Sequence, residues 1–160
     1  MALKASGPAK LKNEAEFQRA LRGSMNAYFN NKIFCQKTHG NQFTGSGVAD
    51  IIGHVDGLFF GLECKIRKPG YNGQVKEEQY RWMKKQIDRG GAGFWVIYDT
   101  EEQCTYWIPG EQRVSYRDRK HWFRTGWVKK TFTNSVGLEQ TLYIIDCVPL
   151  AMLEMKRSSK

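Results

Sequence analysis

GVADIIGHVDGLFFGLECKI, residues 47–66, holds an Asp-Gly dipeptide at 56–57 between two apolar runs. Glycine tolerates the positive φ that a two-residue hairpin turn requires, so this dipeptide predicts two antiparallel strands joined by a tight turn. When the pairing is continued outward from that turn, Asp50 falls opposite Glu63. The stretch therefore predicts a hairpin in which two carboxylates face each other.

The two faces of this hairpin differ in chemistry, because side chains alternate along a strand. One face carries Asp50, Glu63 and Lys65. Directly opposed Cβ atoms lie roughly 4.5–5.5 Å apart, a distance at which like charges repel. A divalent cation between the two carboxylates would relieve that repulsion. The other face is apolar and is predicted to be core: Ala49, Ile51, Gly53, Val55, Leu58, Phe60, Leu62, Cys64 and Ile66.

Two carboxylates and a lysine are suited to metal-assisted phosphodiester hydrolysis. Asp50 and Glu63 offer the hard oxygen ligands that Mg²⁺ prefers, and the carbonyl of Cys64 is a further candidate ligand. Lys65 would stand beside the attacking water, lowering its pKa or stabilising the charge that develops on the phosphate. The alternative is that Lys65 only forms an ion pair with Glu63, which leaves Asp50 unexplained.

The whole chain has the composition of a folded globular protein. Its 160 residues are 41% hydrophobic and 26% charged, which argues against disorder and allows one domain with a substantial core. Its apolar runs are shorter than the roughly 18 residues that cross a bilayer, so we expect no membrane association. The four cysteines form no C-x-x-C pair, which argues against a zinc ribbon and favours a reducing, cytoplasmic compartment.

Positive charge is concentrated towards the C-terminal end. The formal net charge is +9, and residues 111–130 hold seven basic against two acidic residues, with aromatic residues interleaved. This pattern is typical of a nucleic-acid surface, on which Arg and Lys neutralise phosphates. The alternative is a solvated basic face whose aromatic side chains belong to the core. The basic candidates for DNA contact in this segment are Arg117, Arg119, Lys120 and Arg124.

Hydrophobic periodicity predicts an α/β fold with a central mixed sheet flanked by helices, in the order αβββαβ. Asn13 is suited to cap a first helix that ends near Asn30, with Glu16 as its capping-box partner. We divide the chain into a flexible basic arm (1–12), a core (13–110) and a basic, aromatic extension packed on the same domain (111–160). Beyond the hairpin, the predicted elements are strands at Lys32–Lys37, Gly93–Asp99, Cys104–Ile108, Thr131–Asn134 and Leu142–Val148, and a second helix at Gln74–Arg89.

Asp50, followed thirteen residues later by Glu63-Cys64-Lys65, resembles the motif of the PD-(D/E)XK nuclease superfamily. TGSGVADIIG with GLFFGLECK resembles archaeal-type Holliday junction resolvases. GVADIIG with EEQYRWM and GGAGFWV is similar to virus-type replication-repair nuclease domains. The resemblance covers roughly residues 14–99 and implies a restriction-endonuclease-like core. Ala49 stands where the superfamily name has proline, a position that varies widely in such nucleases.

The resemblance also implies site residues outside the hairpin. A carboxylate on the first helix would complete the metal site; Glu14 is the candidate, with Glu16 as the rival and a favourable charge at the helix N-terminus as the alternative for Glu14. Gln79 is implied near the metal, with a structural glutamine as the alternative. Ser46 is implied in a DNA-contacting loop, although a turn-forming serine explains it better. Basic residues flanking the site, which are otherwise ordinary surface charges, are Lys37, Arg67 and Lys68.

These features together predict a Mg²⁺-dependent DNA endonuclease, with Mn²⁺ as a substitute. By resemblance, the expected substrate is branched DNA such as a four-way junction, and the expected assembly is a homodimer that cuts two strands symmetrically. One alternative is a nuclease that cuts flaps or plain duplex DNA. The other is a nucleic-acid-binding module without catalysis. Both a viral and a cellular origin fit the sequence.

Overall fold

The computed structural model describes residues 4–8, 11–29, 33–38, 47–55, 57–119, 122–135 and 138–145. Within these ranges, neither helix is long and apolar enough to cross a membrane. In chain order the elements are β1 (Lys4–Pro8), α1 (Glu14–Phe29), β2 (Ile33–Lys37), β3 (Ile51–Val55), β4 (Leu58–Lys68), β5 (Tyr71–Asn72), α2 (Glu77–Asp88), β6 (Ala92–Asp99), β7 (Cys104–Pro109), β8 (Phe123–Ser135) and β9 (Leu138–Ile145).

One mixed sheet organises the domain. Its strands lie in the order β1-β8-β7-β6-β4-β3-β2, with β5 paired to β4 and β9 paired to β8. β4 and β6 run parallel because α2 crosses over between them, whereas the other pairs are antiparallel. The sheet and its helices confirm the predicted α/β class and the αβββαβ order of the core.

The β3–β4 hairpin has the predicted register. Val55 pairs with Leu58 and Ile51 pairs with Leu62, so two residues form the turn. Gly57 has a φ of +79°, the left-handed conformation that this turn requires, while its partner at 56 lies outside the described residues. The local turn signal therefore sets which residues of the hairpin face each other.

α1 covers one face of the sheet. The N–H of Glu16 donates to Asn13 Oδ1 at 2.9 Å, and Glu16 Oε2 accepts the N–H of Lys12 at 2.8 Å. The predicted N-cap at Asn13 is confirmed. The Glu16 side chain accepts from the N–H of Lys12, the residue before the cap, and not from the N–H of the cap residue itself. The apolar side of the helix joins a buried cluster with alternate residues of the strands: Phe17, Leu21 and Met25 with Ile51, Phe60, Leu62, Cys64, Ile66, Phe94 and Val96.

α2 covers the opposite face, where two glycines let it lie close to the sheet. Gly61 and Gly93 are paired across β4 and β6. A Cβ on Gly61 would lie 2.7 Å from the Trp82 ring, and a Cβ on Gly93 would overlap Met83 Sδ. The absence of side chains at these two positions therefore brings α2 down onto the strand that carries Glu63.

The structure differs from the prediction at α2, β1, β8 and β9. α2 begins at Glu77 rather than at Gln74: residues 73–76 lie in neither a helix nor a strand, and the cap residue Lys76 has an extended backbone. Lys4–Pro8 forms β1 rather than a flexible arm, since it pairs with β8, more than a hundred residues away. β8 is longer than the strand expected at Thr131–Asn134, and β9 begins four residues before the expected Leu142, while residues 146–148 lie outside the described residues. The pairing of β1 with β8 joins segments far apart in the sequence, so no local pattern predicts it.

Candidate active site

The carboxylate face of the hairpin is buried, because α2 lies across it. Glu63, in the middle of β4, is 3% exposed, and Lys65 is 7% exposed. Lys65 Nζ lies 3.2 Å from Glu63 Oε1, and the same oxygen accepts a hydrogen bond of 2.6 Å from Gln79 Nε2. Three of the residues predicted for the site are thus in direct contact.

Asp50 and Glu14 lie at the edge of β4 where β3 stops. The ladder between the two strands ends at Ile51, so the next N–H groups of β4 need other acceptors. The N–H of Cys64 donates to Asp50 Oδ2 at 2.9 Å, and the N–H of Ile66 donates to the Glu14 carboxylate. These hydrogen bonds hold both carboxylates beside the lysine.

The two rival acids of α1 therefore have different positions. Glu14 comes to the site, where its charge interacts with Lys65 and Asp50. Glu16 is held in the helix cap. The carbonyl of Cys64 is also well placed, because a strand residue directs its N–H and C=O to the same edge, here the edge that holds Asp50.

Burial and mutual repulsion make the acids of this site hard to ionise. The pKa of Glu63 is raised to about 8, first by burial and then by the charge of Asp50, while Lys65 acts in the opposite direction. Burial also raises the pKa of Asp50, opposed chiefly by the N–H of Cys64. Burial raises the pKa of Glu14 as well, opposed chiefly by Lys65. Three carboxyl groups thus share one lysine.

The residues present fit a divalent cation. Glu63 Oε2 is buried, and none of the described residues donates a hydrogen bond to it. Asp50 and Glu63 can hydrogen-bond to each other only while one of them keeps a proton, and a cation would take the place of that proton. No described group of three His, Cys, Asp or Glu residues is placed to hold a metal by itself. Mg²⁺ needs fewer protein ligands, since it keeps several waters.

Gln79 is oriented by the start of its own helix. Its Oε1 accepts the N–H of Lys76 at 2.9 Å, which leaves the amide nitrogen to donate to Glu63. The loop that leads into Asp50 also packs here, because Gly47, with a φ of +84°, lies against the backbone of Glu78. The N-terminal end of α2 therefore contacts both sides of the site: Gln79 hydrogen-bonds to Glu63 on β4, and Glu78 packs against Gly47, which precedes Asp50 in the chain.

The basic residues predicted near the site have different surroundings. Lys37 is half-buried at the end of β2, and its charge favours the ionised form of Asp50. Arg67 is tied to the buried Asp99, with NH1 2.8 Å from Oδ2. Lys68 is exposed. Ser46 lies outside the described residues.

Two aromatic side chains of the extension, those of Tyr116 and Trp122, are partly buried and pack against the core. Tyr116 and Trp122 pack in the cluster under α2, with ring centroids 5.7 Å apart, and Tyr106 lies edge-on to the same tryptophan. The packing of these two rings fits the alternative of core packing. The composition of the segment cannot distinguish a nucleic-acid surface from a basic face with aromatic core residues. Basic side chains can point to solvent while neighbouring aromatic side chains point to the core.

The basic residues of the extension are likewise split. Arg119 reaches the buried Asp99 at 3.5 Å and lies over the Trp122 ring, so it has a structural role. Arg124 is exposed and donates from Nε to Cys104 Sγ at 3.3 Å. Arg117 is exposed, and Lys120 lies outside the described residues.

Two residues beside the site were not found from the sequence. Asp99 is 1% exposed and accepts hydrogen bonds from the N–H groups of Glu101 and Glu102 as well as from Arg67. The sequence feature that could have indicated Asp99 was an acidic residue at the end of the apolar strand β6. Tyr116 donates from its hydroxyl to the carbonyl of Gly73 at 2.7 Å, which ties the extension to the segment beside Lys65. That contact had no signal in the sequence.

Comparison with known proteins shows a likeness among solved structures and none among sequences. No family model matches the chain, and no curated protein sequence matches it. Among solved structures, the chain is similar to Hjc, a Holliday junction resolvase from the archaeal hyperthermophile Archaeoglobus fulgidus, with a TM-score of 0.45 and 12% identity. The match covers 67% of this chain and 85% of that chain. At this identity and TM-score, the likeness carries no argument about activity.

Proposed function

We propose that this protein is a Mg²⁺-dependent endonuclease that hydrolyses phosphodiester bonds in DNA. The observation that carries the proposal is the buried Glu63, which has a pKa of about 8, a second carboxylate beside it and an oxygen without a donor in the described structure. A purely structural ion pair with Lys65 needs neither Asp50 nor Glu14. Four acidic and basic groups at one point, in a face otherwise filled by core residues, are typical of a catalytic site.

The side chains have distinct tasks in this proposal. Asp50, Glu63 and the Cys64 carbonyl would hold the cation directly, Glu14 would reach it through a water that the cation keeps, and Gln79 keeps Glu63 in position. When bound, Mg²⁺ would polarise a phosphate oxygen and lower the pKa of an attacking water. Lys65, on the same face of β4, stabilises the negative charge that develops on the phosphate. The cover provided by α2 limits access of bulk water, which strengthens these interactions.

We further propose branched DNA as the substrate, a four-way junction in particular, and a homodimer as the active form. Support for both comes from the resemblance of residues 47–66 to resolvases, and a two-fold dimer would present two equivalent sites to two strands. Mn²⁺ should replace Mg²⁺, since both accept oxygen ligands. An intracellular, DNA-associated protein follows from this activity.

A cleavage panel tests the proposal. Purified protein is incubated with labelled four-way junctions, flaps and linear duplexes in Mg²⁺, Mn²⁺ or EDTA, and the products are resolved on denaturing gels. We expect cleavage with either metal and none in EDTA. Asp50→Asn and Glu63→Gln should each lower the rate by at least about 100-fold while DNA binding in EDTA persists.

Matched variants separate the site from general charge effects. Asp88→Asn removes an exposed carboxylate from α2 and should cut at the wild-type rate. Glu14→Gln should lower the rate, whereas Glu16→Gln should not, because a glutamine can still complete the capping box. Absence of cleavage of all three substrates in both metals would leave only the binding-module alternative. Preferential cutting of flaps or duplexes would retain the endonuclease and reject the junction.

A further inference from the structure

We propose that the β4–β5 hairpin binds an unpaired nucleotide next to the cleaved bond, with its base against Tyr71 and its phosphate against Lys68 and Arg67. The proposal rests on the proposed function for the nature of the ligand, which is DNA. It deepens that function by naming the feature of the substrate that the protein would recognise.

Tyr71 is the one exposed large hydrophobic side chain among the described residues, at 46%. The hairpin fixes the backbone at Tyr71, because Lys68 pairs with Tyr71 and Arg67 pairs with Asn72 across a two-residue turn at 69–70. Lys68 Nζ lies over one face of the ring, 5.7 Å from its centre, so a base would stack on the other face. An exposed ring beside a cation is how proteins that bind single strands stack bases, since every base has an aromatic face.

Arg67 is held in one orientation before any ligand binds. Its Nε donates to Asn72 Oδ1 at 3.2 Å and its NH1 to Asp99 Oδ2 at 2.8 Å. A guanidinium has five N–H donors, so these two contacts leave others for the oxygens of a phosphate. A side chain already fixed by its partners loses little conformational entropy on binding.

A cavity of about 350 Å³ adjoins this hairpin. Two of its lining residues are acidic, and they limit where an anion can lie. Asp99 is neutralised by Arg67 and Arg119, and Glu101 is exposed just beyond the end of β6. A phosphate is therefore expected against the basic residues of the hairpin. The lining residues that matter are Arg67, Lys68, Tyr71, Asn72, Asp99 and Glu101.

This surface continues the active site along one strand. Glu63, Lys65 and Arg67 alternate with core residues and so share a face of β4. At about 3.3 Å per residue, the backbone at Arg67 lies roughly 7 Å beyond Lys65, the scale of one nucleotide in an extended strand. Bases of an intact duplex stay stacked on each other, so Tyr71 is open only to an unpaired or extruded nucleotide.

Binding measurements in EDTA test the subsite without cleavage. Fluorescence anisotropy is recorded for a labelled single strand and for the same strand annealed to its complement. Tyr71→Ala should weaken single-strand binding by about tenfold or more, as expected for loss of one stacked base. Tyr71→Phe, which keeps the ring, should bind as the wild type does. Duplex binding should change less than about twofold in both variants.

Salt dependence tests the phosphate contact. Lys68→Ala should reduce the slope of log affinity against log salt by about one. Lys84→Ala, which removes an exposed lysine from α2, should leave the slope unchanged. Equal slopes in the wild type and Lys68→Ala would contradict the phosphate contact.

The proposed contact between Tyr71 and a base would be refuted if Tyr71→Ala binds the single strand with wild-type affinity. It would also be refuted if Tyr71→Phe loses as much affinity as Tyr71→Ala, or if single-strand and duplex affinities fall equally. Its failure is distinct from that of the endonuclease. Tyr71-dependent binding by a protein that cuts nothing in Mg²⁺ would support the nucleotide subsite and reject the catalytic proposal. If Tyr71→Ala changes neither cleavage nor binding, the result would support the catalytic proposal and reject the nucleotide subsite.

Discussion

Glu63→Gln removes a carboxyl group whose ionisation the folded protein opposes. Its pKa is raised from the ordinary 4.5 to about 8, so between these pH values the folded protein binds more protons than the unfolded chain. The contribution to stability is therefore complete below about pH 4.5 and is lost as the pH rises towards 8. Since one pKa unit corresponds to about 1.4 kcal/mol, Glu63 should reduce the free energy of unfolding by roughly 3 kcal/mol at pH 7.

Urea and thermal unfolding in EDTA, followed by tryptophan fluorescence across this pH range, measure the effect. For a chain of this size, about 1 kcal/mol shifts Tm by roughly 2–4 °C, so Glu63 alone should lower the wild-type Tm by about 6–12 °C by pH 7. Glu63→Gln cannot ionise and should show a flatter profile. A shallower slope should remain in the variant, because the pKa values of Asp50 and Glu14 are raised too. Asp88→Asn, exposed on α2, is the control and should keep the wild-type profile.

Mg²⁺ should reverse this loss of stability in the wild type. The metal binds ionised carboxylates, so it should raise Tm more at about pH 8 than at about pH 5. The Glu63→Gln variant should respond weakly at both pH values. Parallel pH profiles for wild type and variant, or an equal Mg²⁺ response at both pH values, would refute the reasoning that links the buried carboxylate to a metal.

Further variants address the other parts of the site and its support. Lys65→Met should lower the cleavage rate by about 100-fold or more with DNA affinity retained, measured in single-turnover reactions. Gln79→Ala should reduce activity about 10–100-fold and weaken the response of Tm to Mg²⁺, as loss of a residue that orients a metal ligand does. Gly93→Ala should lower the free energy of unfolding in urea by about 1–3 kcal/mol, because its Cβ would overlap Met83. Gly23→Ala is its control: nothing lies within 4 Å of a Cβ there, so the helix should gain up to about 1 kcal/mol.

Features set by neighbours in the chain were predictable from the sequence. The Asp-Gly turn predicted the hairpin and its register, and strand alternation placed Glu63 and Lys65 on the face opposite the core. The cap of α1 was also local, since Asn13 and Glu16 lie three residues apart. In each case the interacting groups are close in sequence, so backbone geometry alone brings them together.

The remaining features depended on how distant segments pack. Sequence position could not choose between Glu14 and Glu16, because both lie in the first turn of α1; the packing of that helix on the sheet brought Glu14 to the N–H of Ile66. The core position of Tyr116 and Trp122 also followed from packing, since it depends on where the extension crosses α2.

The sequence by itself determined a β-hairpin with two acids and a lysine on one face. The tertiary structure decided that this face is buried, that Gln79 hydrogen-bonds to Glu63, and that Asp50 and Glu14 take over the N–H groups of β4 beyond the end of β3. The physical reason is that turns and alternation act over a few residues, whereas burial and pKa depend on every element packed around a group. Gly61 and Gly93, paired on neighbouring strands, let α2 pack closely over the acidic face. The burial that results makes this face a candidate metal site.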